Sequence, residues 1–256
     1  MENSSSPARR VAFVTGASYG IGAAIALALA RDGFDVAVSA TRIKNVAETS
    51  AKLKALGVRA LPIVLDVRAH ASIQNAISEI VKGLGGVDVL VNNAGVPLQK
   101  AILDITPAEW EGVMSTNLTG TFLLSQAMGR HLIERGSPGA IINVASTHGI
   151  VGTPKRVAYG VSKAAVIHMT KMFAVEWAPH GIRVNAIAPG RVISGSPGRA
   201  GSASNAEYLE AVLKRIPLNR FCTVEDCAQA VRYLASSQAD YITGHTLVLD
   251  GAMTIV

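Results

Sequence analysis

A short apolar strand that runs into clustered glycines and straight on into a helix leaves a chain few folds to choose from. Residues 11–14 read Val-Ala-Phe-Val between polar ends, a pattern that predicts a short buried strand. Thr15-Gly16-Ala17-Ser18-Tyr19-Gly20-Ile21-Gly22 follows, and then an apolar helical run that stops before Gly33. Strand, glycine turn and helix N-terminus in that order make an anion site, because free amides and the helix dipole point at whatever phosphate rests there. Glycine omits the Cβ that would hold a pyrophosphate away from the backbone. Taken alone the glycines would suit any tight turn; it is the strand before and the helix after that favour binding.

Strand-like and helix-like patterns alternate from there to the end of the 256 residues with no linker-like break. With 49% hydrophobic and 16% charged residues, one large core is within reach. The expectation is one α/β domain over residues 9–256, preceded by a disordered leader at 1–8. That leader lacks a signal-peptide core and no 18-residue apolar run follows, which points to a cytoplasmic protein without membrane contact. The net charge is +6, but Lys and Arg are scattered and not interleaved with aromatics, so nucleic-acid binding is not expected. Cys222 and Cys227 have no His or acidic partners at metal spacing. They read as reduced structural thiols, and no metal is expected.

Chemistry enters with Tyr159 and Lys163, four apart in a helical stretch and so one turn apart on one face. A free phenol titrates near pH ~10 and is a poor acid or base at neutrality. An ammonium about 5 Å away supplies on the order of 3 kcal/mol at an effective dielectric near 20, enough to favour the phenolate substantially. Alone, such a pair arises on many helices by chance; its company elsewhere in the chain changes the weighing.

The Gly16-x-x-x-Gly20-x-Gly22 spacing after Thr15, Asn92-Asn93-Ala94-Gly95 after an apolar strand, Ser146 with Tyr159-x-x-x-Lys163, and Pro189-Gly190 come in one order. In that combination the chain resembles the short-chain dehydrogenase/reductase family over residues 9–251. The resemblance implies a single doubly wound Rossmann-type α/β domain, with a parallel sheet of about seven strands and helices on both faces. It implies a hydride exchanged between NADP(H) or NAD(H) and a carbonyl or secondary alcohol, with Tyr159 as proton donor or acceptor. Lys163 would lower the Tyr159 pKa and hold the nicotinamide ribose. Ser146 sits at the end of a fifth strand, where a hydroxyl can orient the substrate oxygen and stabilise a developing alkoxide. Asn117 lies in a long helix expected from Thr106-Pro107-Ala108-Glu109 to about Arg135. By resemblance it distorts that helix and joins a proton relay through its carbonyl and a water; a solvent-facing Asn is the alternative.

The same resemblance assigns cofactor contacts. Gly16, Ser18, Tyr19, Gly20, Ile21 and Gly22 would meet the phosphates. Asp66, with Val67 beside it, would meet adenine, although a helix-capping Asp suits the spacing equally. Asn93, Ala94 and Gly95 would border the adenosine ribose, while Pro189, Gly190 and Val192 would face the nicotinamide. The second strand, Asp35–Ala40, decides the phosphate. A carboxylate at its far end would grip both ribose hydroxyls and repel a 2′-phosphate. That end reads Ser39-Ala40-Thr41-Arg42, and Asp35 lies at the other end. Arg42 can pair a phosphate and Thr41 can hydrogen-bond it, so NADP(H) is expected ahead of NAD(H). Against this, relatives that use NADP often carry a basic residue where this chain has Tyr19.

Around the substrate the residues are less readable. His148 reads as a pocket residue or as an exposed loop histidine. Residues 191–215, rich in Gly, Ser and Ala and then amphipathic, read as a substrate lid, and Ser194 stands where relatives have Thr. Lys100, His148 and Arg191 would make the mouth positive, unless they are merely solvated. The family usually assembles as homotetramers through helices near 106–135 and 156–179, and a homotetramer is expected. Two alternatives stand. One is a 3-oxoacyl-carrier-protein reductase, whose acidic partner would suit the basic chain but whose family usually has Arg in place of His180. The other is a non-catalytic cofactor-binding regulator, although such proteins lose the tyrosine or lysine.

Overall fold

In a computed structural model the chain is described over residues 9–193 and 206–256. Seven strands form one sheet: β1 (Val11–Val14), β2 (Asp35–Ala40), β3 (Ala60–Val64), β4 (Val89–Asn92), β5 (Gly139–Val144), β6 (Ile182–Pro189) and β9 (Thr246–Leu249). Their order is β3-β2-β1-β4-β5-β6-β9, and every pairing is parallel. A second ribbon pairs β7 (Val192–Ile193) with β8 (Cys222–Thr223), also parallel.

The five inner strands β2, β1, β4, β5 and β6 are near-continuous runs of buried residues because both faces are covered, while the edge strands β3 and β9 are only partly buried. Side chains alternate across the sheet, so one strand feeds two cores. Ala12, Val14, Val36 and Val38 meet Ile25 and Leu29 of α1 (Gly20–Arg31), Leu53 of α2 (Ala47–Ala55) and Val231 of α8 (Val224–Ala235). Val11, Phe13, Leu90 and Ile141 meet the opposite layer. There Ile73 and Ile80 come from α3 (His70–Leu84), Leu124 and Met128 from α5 (Gly120–Glu134), and Phe173 and Trp177 from α6 (Val157–Trp177). This is the doubly wound arrangement, and its chain reversal falls between β1 and β4. At such a switch point a crevice opens outside the carboxyl ends of the strands.

The long helix expected over 106–135 is instead three pieces. Thr106 and Glu109 close a capping box on α4 (Pro107–Met114), with Pro107 in the first turn. A π-helical turn follows at Ser115–Thr119, and α5 resumes at Gly120. The widened turn rotates Asn117 inward, where the residue is fully buried. A periodicity argument cannot see one extra residue in a turn.

Residues 194–205, which include Ser194 and the middle of the expected lid, lie outside the described residues, as does the leader at 1–8. The amphipathic end of that expected segment is helical, as α7 (Ala206–Leu213). No helix among the described residues is long and apolar enough to cross a membrane.

Candidate active site

The glycine turn is fastened to three neighbours. The Ala17 N–H donates to Ser39 O on β2 at 3.0 Å, and Thr49 Oγ1 of α2 donates to Ala17 O at 2.9 Å. From the end of β4, Asn93 Nδ2 donates to both Thr15 O and Gly16 O at 2.9 Å. Thr15 Oγ1 in turn accepts the N–H groups of Asn93 and Ala94, each at 3.0 Å.

This changes the reason for two glycines. A Cβ on Gly22 would lie 2.4 Å from Asn93 Nδ2 and 2.6 Å from Gly16 O, and one on Gly16 would lie 2.9 Å from Ala94 Cα. Both are small so that the turn can sit against β4, rather than only to admit a phosphate. Both Gly16 and Gly20 also adopt left-handed backbone, at φ 62° and 60°, a conformation costly for other residues. Tyr19, the residue before α1, gives it no side-chain cap, and its first turn holds no acid. Its first amides and dipole therefore face the crevice without an internal anion. That turn fits a pyrophosphate.

At the end of β2, Thr41 and Arg42 are exposed beside the same edge. Asp35, at the far end, is buried and accepts Arg59 N–H at 2.8 Å and Arg59 Nε–H at 2.7 Å. Asp66 does not cap α3, whose first flanking residue is Ala69. Its carboxylate instead pairs with Arg68 at 2.7 Å, and that guanidinium holds the Asp66 pKa below the usual carboxylate range. Val67 packs against Gly120, where a Cβ would meet Val67 Cγ2 at 2.8 Å.

The second half of the site is assembled on α6. A turn at Thr147–Gly149 follows β5 and lies flat on the helix. Two more glycines permit this: a Cβ on Gly149 would lie 2.6 Å from Lys163 C, and one on Gly160 would lie 2.8 Å from His148 O. Ser146 starts the turn, its Oγ accepting the His148 N–H at 3.2 Å. The His148 ring stands edge-on to the Tyr159 ring, centroids 6.0 Å apart. His148 is thus brought to Tyr159. Its Nδ1 lies 3.2 Å from Thr153 Oγ1.

Lys163 is buried, at 5% exposure. Its Nζ donates to Val144 O at 2.7 Å and lies 5.7 Å from the centre of the Tyr159 ring. Asn117 comes in from the opposite side. Its Oδ1 accepts Val96 N–H at 2.8 Å, and its Nδ2 donates to Val96 O at 3.0 Å and to Ser162 Oγ at 3.1 Å. The Ser162 hydroxyl passes the connection to Tyr159 O at 2.7 Å. The Asn117 backbone carbonyl accepts Thr121 Oγ1 at 2.9 Å. A Cβ on Gly95 would sit 3.2 Å from Asn117 Oδ1 and 3.7 Å from Lys163 Nζ, so Gly95 keeps open the space between them.

One cleft unites these pieces. Ile21, Asn93, Gly95, Val96, Pro97, Val144, Ala145, Ser146, Tyr159, Lys163, Pro189, Gly190 and Val192 line it. Ile21 at the end of the glycine turn, the end of β4, Ser146, Tyr159, Lys163 and the Pro-Gly corner therefore border one space. Of the three cations weighed for a positive mouth, Lys100 is paired, its Nζ lying 2.8 Å from Glu109.

Sequence reasoning missed the supporting polar residues. Thr15 and Ser162 act as described above. Asn92 Nδ2 donates to Ser125 Oγ and to Asn143 Oδ1, each at 2.9 Å, and Asn143 Nδ2 donates to Thr170 Oγ1, also at 2.9 Å. This buried ladder ties β4 and β5 to α5 and α6. Asn interrupting otherwise apolar strands was the available signal, because buried amides need partners.

A family model described as enoyl-(acyl carrier protein) reductase matches residues 16–254. A 3-oxoacyl-acyl-carrier-protein reductase of Staphylococcus epidermidis is 41% identical over 243 residues, covering 94% of this chain and 98% of the relative. A short-chain dehydrogenase/reductase of Armillaria gallica is 40% identical over 257 residues, 95% of each chain. Among solved structures, a gluconate 5-dehydrogenase from Burkholderia cenocepacia, in complex with NADP and tartrate, superposes with a TM-score of 0.91. It is 33% identical and the match covers 96% of both chains.

Proposed function

Because the chain belongs to the short-chain dehydrogenase/reductase family of oxidoreductases, we propose that it exchanges a hydride between NADP(H) and a carbonyl or secondary alcohol, with Tyr159 as general acid and base. The observation that carries this reading is the meeting of Tyr159, Lys163 and Ser146 with the glycine turn in one cleft. NADPH supplies the hydride when bound.

The residues of the chain do the rest. The glycine turn and the uncapped start of α1 hold the pyrophosphate, and Arg42 with Thr41 takes the 2′-phosphate. Asp66, Val67, Asn93 to Gly95 and the Pro189-Gly190 corner with Val192 border the remainder, the Asn93 side chain acting through the turn it secures. Ser146 Oγ accepts a backbone N–H, which orients the hydroxyl and leaves its hydrogen for the substrate oxygen. Tyr159 gives that oxygen a proton in reduction and takes it back in oxidation. The Lys163 ammonium, held near the ring by Val144 O, favours the phenolate that remains. Asn117, pinned to Val96 and Ser162, fixes the π-helical turn behind the lysine and offers its peptide oxygen to a relaying water.

A second reading narrows the substrate to a 3-oxoacyl thioester on a carrier protein, favoured by the Staphylococcus epidermidis relative. The Burkholderia cenocepacia neighbour favours sugar acids instead. A panel of ketones, sugar acids and acyl thioesters, followed by nicotinamide absorbance, separates them. On any accepted substrate, Tyr159→Phe should keep cofactor binding and lose about 10²–10⁴-fold in turnover. Near-wild-type turnover in that variant overturns the assignment.

A further inference from the structure

The two cysteines of the chain, expected to be inert structural thiols, lie against each other. Cys222 Sγ and Cys227 Sγ are 3.8 Å apart. Cys227, on the first turns of α8, is fully buried, whereas Cys222 is half-buried on β8. Their location gives the contact a consequence. Cys222 pairs with Val192 in the β7–β8 ribbon, and its N–H donates to Arg191 O at 3.1 Å. Val192 is itself a wall of the catalytic cleft. On the other side, Thr223 caps α8 and Arg220 pairs with Asp226 at 2.6 Å, anchoring the ribbon to the helix.

We propose that Cys222 and Cys227 are a peroxide-sensitive modification site, forming a reversible intramolecular disulfide that shifts the Val192 wall of the cleft. The bond to be formed is about 2.05 Å long, so the sulfurs must close from contact distance. Cys227 stays on a helix fixed by the core, and the movement therefore falls on the two-residue ribbon that carries Cys222. The groups facing the pair set the order of events. The hydrogen bond between the two thiols, and further burial, push Cys227 up, so it remains protonated. The same hydrogen bond draws the Cys222 thiol down against burial and Asp226, with Arg220 assisting. The Cys222 thiolate attacks one peroxide oxygen, the O–O bond breaks, and the departing hydroxide takes up a proton as water. The resulting sulfenic acid then meets the Cys227 thiol: the S–S bond forms, the S–O bond breaks, and a second water leaves. Two sulfurs lose one electron each, and peroxide takes both.

The test uses the full chain without substrate or nicotinamide, so its outcome is independent of the proposed hydride transfer. Hydrogen peroxide is added, and intact mass and free thiols are followed. The expected result is the loss of two hydrogens and of both thiols in the monomeric chain, restored by dithiothreitol. Hydrogen exchange should change at Val192, Ile193, Cys222 and Thr223, and Cys222→Ser should abolish both effects. Cys227→Ser should gain an oxygen at Cys222 in place of the disulfide. Retention of both thiols overturns the site, as does a disulfide between two chains or oxygen addition to the wild type. A disulfide that leaves exchange in the ribbon unchanged overturns the coupling to the cleft. The wild-type measurements decide the matter even where a serine variant folds poorly.

Discussion

Arg42 and Asp35 stand at opposite ends of one six-residue strand, and which end faces the crevice decides the charge a cofactor meets. Asp35 is spent at the closed end on Arg59. Arg42 is exposed at the open end, with no carboxylate beside it on the strand. A charge-assisted hydrogen bond is worth about 1.5–3 kcal/mol, so Arg42→Ala should weaken NADPH binding roughly tenfold to a hundredfold. NADH binding should stay within about twofold, because no 2′-phosphate is involved. Fluorescence titration of both cofactors checks this; equal loss for both would remove Arg42 from the phosphate site. The spacing of Tyr159 and Lys163 was legible at this same scale, since four residues need only a helix to share a face, but the other motifs of the chain were needed to give the pair a meaning.

At the scale of elements, the site depends on how closely neighbouring segments approach. Gly22 on α1 faces Asn93 from β4, and a methyl group there would overlap both Asn93 Nδ2 and the Gly16 carbonyl. Since the Gly16 clash is with backbone, the turn itself must move. Gly22→Ala should cost about 1–3 kcal/mol, a fall of roughly 3–10 °C in Tm for a chain of this length. Cofactor affinity should fall with it, because the α1 amides move too. A thermal melt within about 1 °C of wild type would show that the turn yields without cost. The π-helical turn at Ser115–Thr119 belongs to the same scale: it aims Asn117 into the protein, while a regular helix would carry it elsewhere.

Across the whole molecule, two expectations concern association and acid. Leu103, Trp110, Phe122, Met172 and Val175 remain exposed on or beside α4, α5 and α6, Met172 and Val175 at 58% and 79%. We expect these faces to be covered in a homotetramer; a stable monomer in sedimentation at micromolar concentration would contradict it. His131 joins the segment that leads into β4 to α5, its Nε2 accepting the Val87 N–H at 3.2 Å. Burial lowers its pKa from 6.5, nearby Arg135 lowers it further, and Asp88 and Glu134 oppose. The folded protein thus binds fewer protons than the unfolded chain just below pH 6.5. Stability should be full above that value and fall as pH drops through it. His131→Gln, which cannot take up the proton, should flatten the slope of denaturant midpoint against pH as pH falls below 6.5. An unchanged slope would assign the acid sensitivity to other groups.

By itself the amino-acid sequence determined the alternation of strands and helices, the glycine turn, and the one-turn spacing of Tyr159 and Lys163. These rest on periods of two and of about 3.6 and on spacings within one turn or loop, which local geometry alone dictates. Only the tertiary structure decided that Asn93 holds the glycine turn instead of reaching outward with its amide, that Gly149 and Gly160 let the Ser146 turn lie on α6, and that Asp66 turns to Arg68. It alone set two thiols in contact beside the cleft wall. Each of these is a choice among partners made by side-chain direction or by close approach of backbones, and most join elements far apart in the chain. Such choices are settled when layers pack and buried polar groups must each find a mate, and no periodicity records them.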